Sequence, residues 1–402
     1  MRMGKMTPHK ALTSLALLLS LALLALVALP LAARLTTPAW LQTDDTTEYW
    51  IAGRLNLAGR DPWDRAAVAR LQLAVGRTYA RPVLMCDPPW FVSVAMVLGA
   101  LPYPVARVLW LVVNAALFLA AGDLLWRVYG GERGRSVRQA QDRRWVAWVA
   151  TFGFLPVVVT LRWGHSTGFV VFGAALFLWG VNGWEHLVWA GVGAALMATK
   201  PHLVWMFWPV LLAWMWENRP CWLDACEMID LQAWLIWRVP VGLVVVLGIM
   251  TVTSLLPNTN LIANYWRGII QQPPLEWRTE TIGGDLRALF GPAHTWLQFA
   301  PMLPGLVWLA WYWRRHHDWW YWPNRLPVLL LASLIFAPYG WAYDLAVALP
   351  VVVAVVAQGP GWLAILGLAL VGLVSRWHSL TLGAVVLAWW YWRVKMERGR
   401  NA

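Results

Sequence analysis

Residues 12–45 read LTSLALLLSLALLALVALPLAARLTTPAWLQTDD, a continuous apolar run from Leu12 to Ala33 followed by two adjacent carboxylates, Asp44 and Asp45. The run is long enough to cross a bilayer, whose ~30 Å of hydrocarbon needs roughly 20 residues of helix. It follows a basic start, Arg2, Lys5 and Lys10, as a signal sequence does. Because it is longer than a signal h-region, it is expected to stay in place as an anchor. Two negative charges set beside a membrane need a role.

The rest of the chain repeats the apolar pattern. Of 402 residues, 60% are hydrophobic and 13% charged, and the mean hydropathy is +0.53. Soluble globular domains do not have this composition. The fold expected is an all-α polytopic membrane protein, with residues 1–402 as a single integral membrane domain. Its 34 Trp suit many short connections at the headgroup level, where an indole ring can keep its N–H wet. The net charge of +12 lies mostly in connections between apolar runs, so it speaks for orientation and anionic lipid, not for nucleic acid. Cys86, Cys221 and Cys226 have neither the number nor the spacing of a disulfide framework or a zinc site.

Spans are expected near 11–33, 104–126, 145–161, 167–182, 187–200, 203–216, 237–256, 296–313, 325–337, 345–357, 361–374 and 379–392, about 12 in all. Arg127, Arg133, Arg135, Arg138, Arg143 and Arg144 mark one cytoplasmic connection, and Arg314, Arg315 and Arg325 another. Arg393, Lys395, Arg398 and Arg400 place the tail on the same side, so both termini are expected in the cytoplasm of a multi-pass plasma-membrane protein. The stretch Pro89 to Leu101 is too short to span and is read as an interfacial or re-entrant helix within one long external loop, 34–103. Inside that loop, Asp61-Pro62-Trp63-Asp64 reads as a cap, a first-turn proline and an acid opening a helix through about Val75, and Asp87-Pro88 repeats the cap signal.

This topology gathers Arg162-Trp163-Gly164-His165-Ser166, Lys200-Pro201-His202, the 257–295 loop, Pro338 to Asp344 and Ser375-Arg376-Trp377-His378 on the side of Asp44 and Asp45. Ionisable groups at membrane depth cost roughly 2.5–3.5 kcal/mol each, so Lys200, His165 and Asp344 are functional candidates. Carboxylates mixed with cations suit transfer from an anionic donor. One acid takes the proton of an acceptor hydroxyl, and the cations stabilise a phosphate leaving group. Tyr49, Trp50, Tyr265 and Trp266 are placed to stack on a sugar. No nucleotide-binding fingerprint is present. A different class of function, a non-enzymatic carrier or flippase for lipid-linked sugars, would also concentrate intramembrane charge. It should show paired repeats and broken helices in corresponding halves, and neither is visible.

The motif Asp45-x3-Tyr49-Trp50-x-Ala52-Gly53-Arg54-x4-Gly59-Arg60-Asp61-Pro62-Trp63-Asp64 resembles the first-loop signature of glycosyltransferase family 87. In the same order, Asp87-Pro88-Pro89-Trp90-Phe91, Gly164-His165, Lys200-Pro201-His202 and Ala337 to Asp344 are similar to that family's later motifs. The resemblance implies a GT-C-like fold and a polyprenyl-phosphate sugar as donor, mannose in the best-known members. It also implies a glycan or glycolipid acceptor, inversion at the anomeric carbon, an extracytoplasmic active site, and neither metal nor cofactor. The first-loop aspartate, the presumed base, corresponds to Asp45, with Asp44 supporting it. Lys200, Arg54 and His165 become candidates for the donor phosphate. Tyr49, Trp50, His202, Tyr265, Trp266, Tyr339, Tyr343 and Asp344 become candidates for sugar and acceptor. The chain departs from the family at His165 and His202, which stand for amides, and at Tyr343, which stands for a histidine. Asp45-x-x-Glu48 is also a capping-box pattern for a helix ending near Ala58 before Gly59. If Asp45 caps, Asp44 is the freer acid.

Overall fold

The structure, a computed structural model, describes residues 44–78, 82–130, 144–183, 186–218, 235–272, 279–291, 293–359, 367 and 379–400. Outside the described residues lie the expected span at 11–33, most of the basic 127–144 connection, Cys221 and Cys226. So do all but Gly367 of the expected span at 361–374, and the whole of Ser375 to His378. Among the described residues, all regular structure is helical, as expected of an α-helical membrane protein.

The segment that follows the acid pair forms α1 (Thr46–Leu57), α2 (Arg65–Ala74) and, after one turn at Pro89–Phe91, α3 (Val92–Gly99). Helix α1 ends as expected, with Gly59 at φ +67. Its start differs from the capping-box reading. Asp45 sits at the N-cap position without a side-chain cap bond, and Asp44 Oδ1 accepts from the Thr46 N–H at 3.0 Å instead. The second cap also moves. Helix α2 is capped by Asp64, whose Oδ1 accepts from Ala66 and Ala67, because Asp61 closes its own turn onto the Trp63 N–H at 2.8 Å. Helices α1 and α3 cross with almost no space between them. A Cβ on Gly53 would lie 2.0 Å from the Ala95 carbonyl oxygen.

Helix α4 (Tyr103–Tyr129) matches the span expected at 104–126. The next expected span is not one helix but two, α5 (Arg144–Gly153) and α6 (Leu155–Trp163), meeting at 64°. Pro156 explains the break, since it removes an N–H and its ring crowds the preceding turn. Such breaks mark carriers when they occur in pairs. Among the described residues this is a single break of that kind. Then follow α7 (Thr167–Val181), α8 (Leu187–Met197), a turn at Pro201–Val204, α9 (Phe207–Glu217) and α10 (Arg238–Leu255). The remainder forms α11 (Leu261–Tyr265), α12 (Ile282–Phe290), α13 (Met302–His316), α14 (Trp322–Ile335), a 3-10 segment at Ala342–Ala348, α15 (Leu349–Gln358) and α16 (Leu380–Arg400). By length and composition, α4 and α10 could each cross a bilayer alone, and the α5–α6 pair could make a third span.

Helix α7 is apolar on every face and sits centrally, packed on α4 and α8, with α8 in turn on α10. Several tryptophans do not sit at an interface. Trp50, Trp63 and Trp110 are buried and donate their indole N–H groups to the carbonyls of Leu101, Met85 and Gly164 at 2.7–2.8 Å. These indoles fix loop backbone. The last of them holds the α6–α7 connection, Gly164 to Ser166, which meets the acid pair at one end of the bundle.

Candidate active site

The acid pair is pinned by backbone first. The Asp45 N–H donates to the Trp163 carbonyl at 2.8 Å, bringing the α6–α7 connection against the start of α1. Asp44 is then consumed by its neighbours. Its Oδ2 accepts from the Tyr103 hydroxyl at 2.5 Å and pairs with Arg107 Nε at 2.7 Å. Arg77 Nη1 donates to the Asp44 carbonyl at 2.9 Å, and Arg107 Nη2 donates to the Arg162 carbonyl at 3.0 Å. Asp44 and Arg107 are only 2% exposed.

Gly164 makes this approach possible. Its φ of +71 suits glycine, and a Cβ there would lie 2.1 Å from Thr46 Oγ1 and 2.8 Å from Asp44 Oδ1. Gly164→Ala is expected to destabilise the protein by about 2–5 kcal/mol through backbone strain and overpacking. Gly153→Ala, where a Cβ meets nothing within 4 Å, should leave thermal unfolding nearly unchanged. Equal unfolding curves for the two variants would refute the close approach.

Asp45 is the accessible member of the pair. Its side chain is 14% exposed, with Oδ1 3.8 Å from Arg77 Nη2 and Oδ2 3.6 Å from His165 Nε2. His165 Nδ1 is bonded to Lys200 Nζ. A lysine ammonium has only donors, so Nδ1 is the acceptor and Nε2 carries the imidazole proton toward Asp45. Lys200 directs its other N–H groups to Thr167 Oγ1 at 3.2 Å and Asp344 Oδ1 at 3.1 Å, and Thr167 donates to the same Asp344 oxygen at 2.9 Å. A continuous polar chain therefore runs Asp45, His165, Lys200, Asp344.

Burial sets the protonation of this chain. It raises the Asp45 carboxyl from its ordinary 3.8 to about 7, with Asp44 adding to the rise and Arg77, Lys200 and Arg107 opposing it. It holds His165 well below 6.5, helped by the Lys200 charge, so the ring is neutral. His202 is lowered for the same two reasons.

Two further acids belong to the cluster. Glu48 lies one turn beyond Asp45 on α1, is 7% exposed, and hydrogen-bonds through its side chain to none of the described residues. Burial, then the charges of Asp45 and Asp87, hold it protonated well above 4.5. Asp87 was expected to cap a helix. It is instead buried, accepting from Ser166 at 3.1 Å, and Ser166 accepts from Tyr49 at 3.1 Å. Among the described residues, no three of His, Cys, Asp and Glu are grouped so as to hold a metal ion.

An aromatic wall closes one side. Tyr343 lies 4.3 Å from the His165 ring and stacks at 14° on Trp341, and Tyr339 stacks on His202 at 4.0 Å. Glu280 holds this wall, accepting from the Ala342 N–H at 2.6 Å and donating its own N–H to the Gly340 carbonyl at 2.9 Å. Carboxylates, a neutral imidazole, buried cations and aromatic faces gathered at one end of the bundle could take a proton, hold an anion and stack on a sugar ring. A family model agrees with that chemistry, matching glycosyltransferase family 87 over residues 87–338, more than half of the chain. The chain belongs to glycosyltransferase family 87.

The family 87 match holds Asp87, Gly164, His165, Lys200 and His202. It leaves out Asp45 and Asp344, which the geometry joins to them. No curated protein and no solved structure matches the chain significantly.

Of the residues singled out in the sequence of this glycosyltransferase, Asp45, Asp44, His165, Lys200, His202, Tyr339, Tyr343 and Asp344 converge. Tyr265 borders the cluster, its ring on Trp63 at 5.2 Å and its hydroxyl 3.5 Å from the Cys86 carbonyl. Tyr49 is buried among Phe91, Trp110 and His165, with its hydroxyl donating to Ser166 beside Asp87. Three others do not join. Trp50 is committed to Leu101 and Tyr103. Arg54 lies over the Trp50 ring, with Nη1 3.4 Å from the Gly99 carbonyl. Trp266 is 57% exposed. Arg77, Arg107, Glu48 and Asp87 are the residues that sequence reasoning passed over as site members.

Proposed function

We propose that this family 87 enzyme transfers a hexose, mannose by the family's example, from a polyprenyl-phosphate donor to a hydroxyl of a glycan or glycolipid, with inversion. The site would face the extracytoplasmic side of a protein of about 12 spans, with both termini cytoplasmic. The distribution of arginine and lysine between connections supports that orientation. The observation that carries the reading is the division of labour in the acid pair. Asp44 is locked by Arg107, Tyr103 and the Thr46 N–H, while Asp45 keeps accessible oxygens between Arg77 and His165.

In this mechanism Asp45 takes the proton of the acceptor hydroxyl as its oxygen attacks the anomeric carbon. The bond from that carbon to the phosphate oxygen breaks on the opposite face, and the phosphate leaves with the electron pair. The proton then rests on Asp45. Arg77, with the Lys200 charge behind neutral His165, stabilises the developing negative charge. Tyr343, Tyr339, His202 and Tyr265 bound the sugar and acceptor, with Glu48 and Asp87 offering carboxyl groups to their hydroxyls. Arg54, Trp50 and Trp266 take no part.

A base that titrates near 7 gives a clear pH signature. Transfer should rise as pH increases through about 7 and level off above it. Stability should run the other way. The folded protein keeps a proton on Asp45 that the unfolded chain releases near 3.8, so this group's contribution is lost as pH rises from about 4 to about 7. Rate and unfolding measured together between pH 5 and 8.5, with a labelled polyprenyl-phosphate hexose and a nucleotide sugar compared as donors, test the reading. Transfer from the nucleotide sugar alone, or retention of the anomeric configuration, would overturn it.

A further inference from the structure

Helices α13, α14 and α16 carry a second polar feature at the ends remote from the catalytic cluster. There Tyr312, Tyr321, Asn324, Arg325, Tyr391 and Lys395 line most of a cavity of about 310 Å³. Arg325 lies 5.8 Å from the centre of the Tyr312 ring, with Nη1 3.4 Å from its hydroxyl. The buried Arg325 Nε has no hydrogen-bond partner among the described residues. Lys395 lies 5.7 Å from the Tyr391 ring and donates to Asn324 at 2.9 Å. Among the described residues, no carboxylate lines the cavity. Asp318, on the turn before α14, is exposed and pairs with His317.

The helices set the position of this cavity in a bilayer. Arg325 is near the start of α14, whose far end leads into Tyr339, Tyr343 and Asp344, roughly 20 Å away at 1.5 Å per residue. Likewise the Leu380 N–H opens α16 against the Glu280 carbonyl at the catalytic end, and Lys395 lies about four turns further on. Trp319, 87% exposed, lines the cavity, and Trp392, 54% exposed, follows Tyr391 on α16, as interfacial aromatics do. Two cations, no acid among the described lining residues, aromatic faces and an unspent guanidinium N–H on Arg325 at the level where apolar helices end fit one chemistry. Basic pockets between membrane helices hold phosphate-bearing headgroups.

We propose that this cavity binds the phosphate of an anionic lipid headgroup, on the face of the protein opposite the catalytic cluster. Arg325 supplies directed N–H donors, Lys395 a point charge, and the tyrosine rings pack against the glycerol. The site is independent of the transfer chemistry.

The full-length protein in mixed micelles, titrated with fluorescent phosphatidylglycerol and with matched phosphatidylcholine, tests this. Phosphatidylglycerol should bind at least about ten-fold more tightly. Arg325→Gln and Lys395→Gln should each weaken it by about five-fold. Arg393→Gln, an exposed cation on the same helix outside the cavity, should leave it unchanged. Arg325→Lys and the unfolding temperatures of all variants separate loss of charge from loss of fold. Equal binding of the two lipids, or unchanged binding in folded Lys395→Gln, overturns the proposal. Displacement of the probe by millimolar inorganic phosphate overturns the lipid assignment in favour of a soluble phosphate ligand.

Discussion

Asp45→Asn lowers the rate of sugar transfer by about 10²–10⁴-fold, the contribution of a positioned general base. The amide keeps the size and shape of the carboxylate and can still accept from His165 Nε2–H, but it takes no proton from the acceptor. Donor affinity should therefore change little, and the loss should appear in single-turnover rate. The rise in rate through about pH 7 should disappear with it. Where wild-type Asp45 is protonated, stability should change by no more than about 1 kcal/mol, because Asp45 makes no cap bond and only long contacts to Arg77 and His165. Above about pH 7 the neutral amide should be the more stable, since it buries no charge. A wild-type rate in Asp45→Asn would move the base elsewhere, with Glu48 the next carboxyl along that helix.

Asp44→Ala is expected to act on folding. It leaves Arg107 buried without its carboxylate and the Tyr103 hydroxyl and Thr46 N–H without their acceptor. Breaking a buried pair by removing one partner costs about 3–5 kcal/mol. Asp44→Ala combined with Arg107→Met should recover part of that loss, since the stranded charge goes too. Thermal unfolding of the two single variants and the double variant in nanodiscs measures it. Additive losses would show that the Asp44–Arg107 pair does not hold the α1 start to the α6–α7 connection.

The membrane class and most helices were legible because hydropathy is local. Each long apolar run reports its own burial, and α4, α7, α10 and α14 follow from that. The broken helix at Pro156 was readable in principle, since a proline inside an apolar run limits any single helix. The acid pair was visible as charge beside a membrane run. Which member does chemistry was not, because that depends on Tyr103 and Arg107, about 60 residues along the chain, reaching Asp44. Glu48 and Asp87 were hidden by local grammar, as each fits a helix-start pattern that the fold does not use. Arg77 and Arg107 look like any other arginine in a basic chain until burial is known. Arg54 and Trp50 were drawn in by nearness to Asp45, yet they brace the crossing of α1 and α3.

The central claim is that Asp45 drives transfer from a lipid-linked donor on the extracytoplasmic face. It is tested most directly by supplying a membrane-impermeant acceptor to right-side-out and inverted vesicles loaded with labelled polyprenyl-phosphate hexose. Product should form in right-side-out vesicles with the wild-type protein, fall by at least about 10²-fold with Asp45→Asn, and stay near background in inverted vesicles. Product confined to inverted vesicles, or equal product from wild type and Asp45→Asn, would contradict the account.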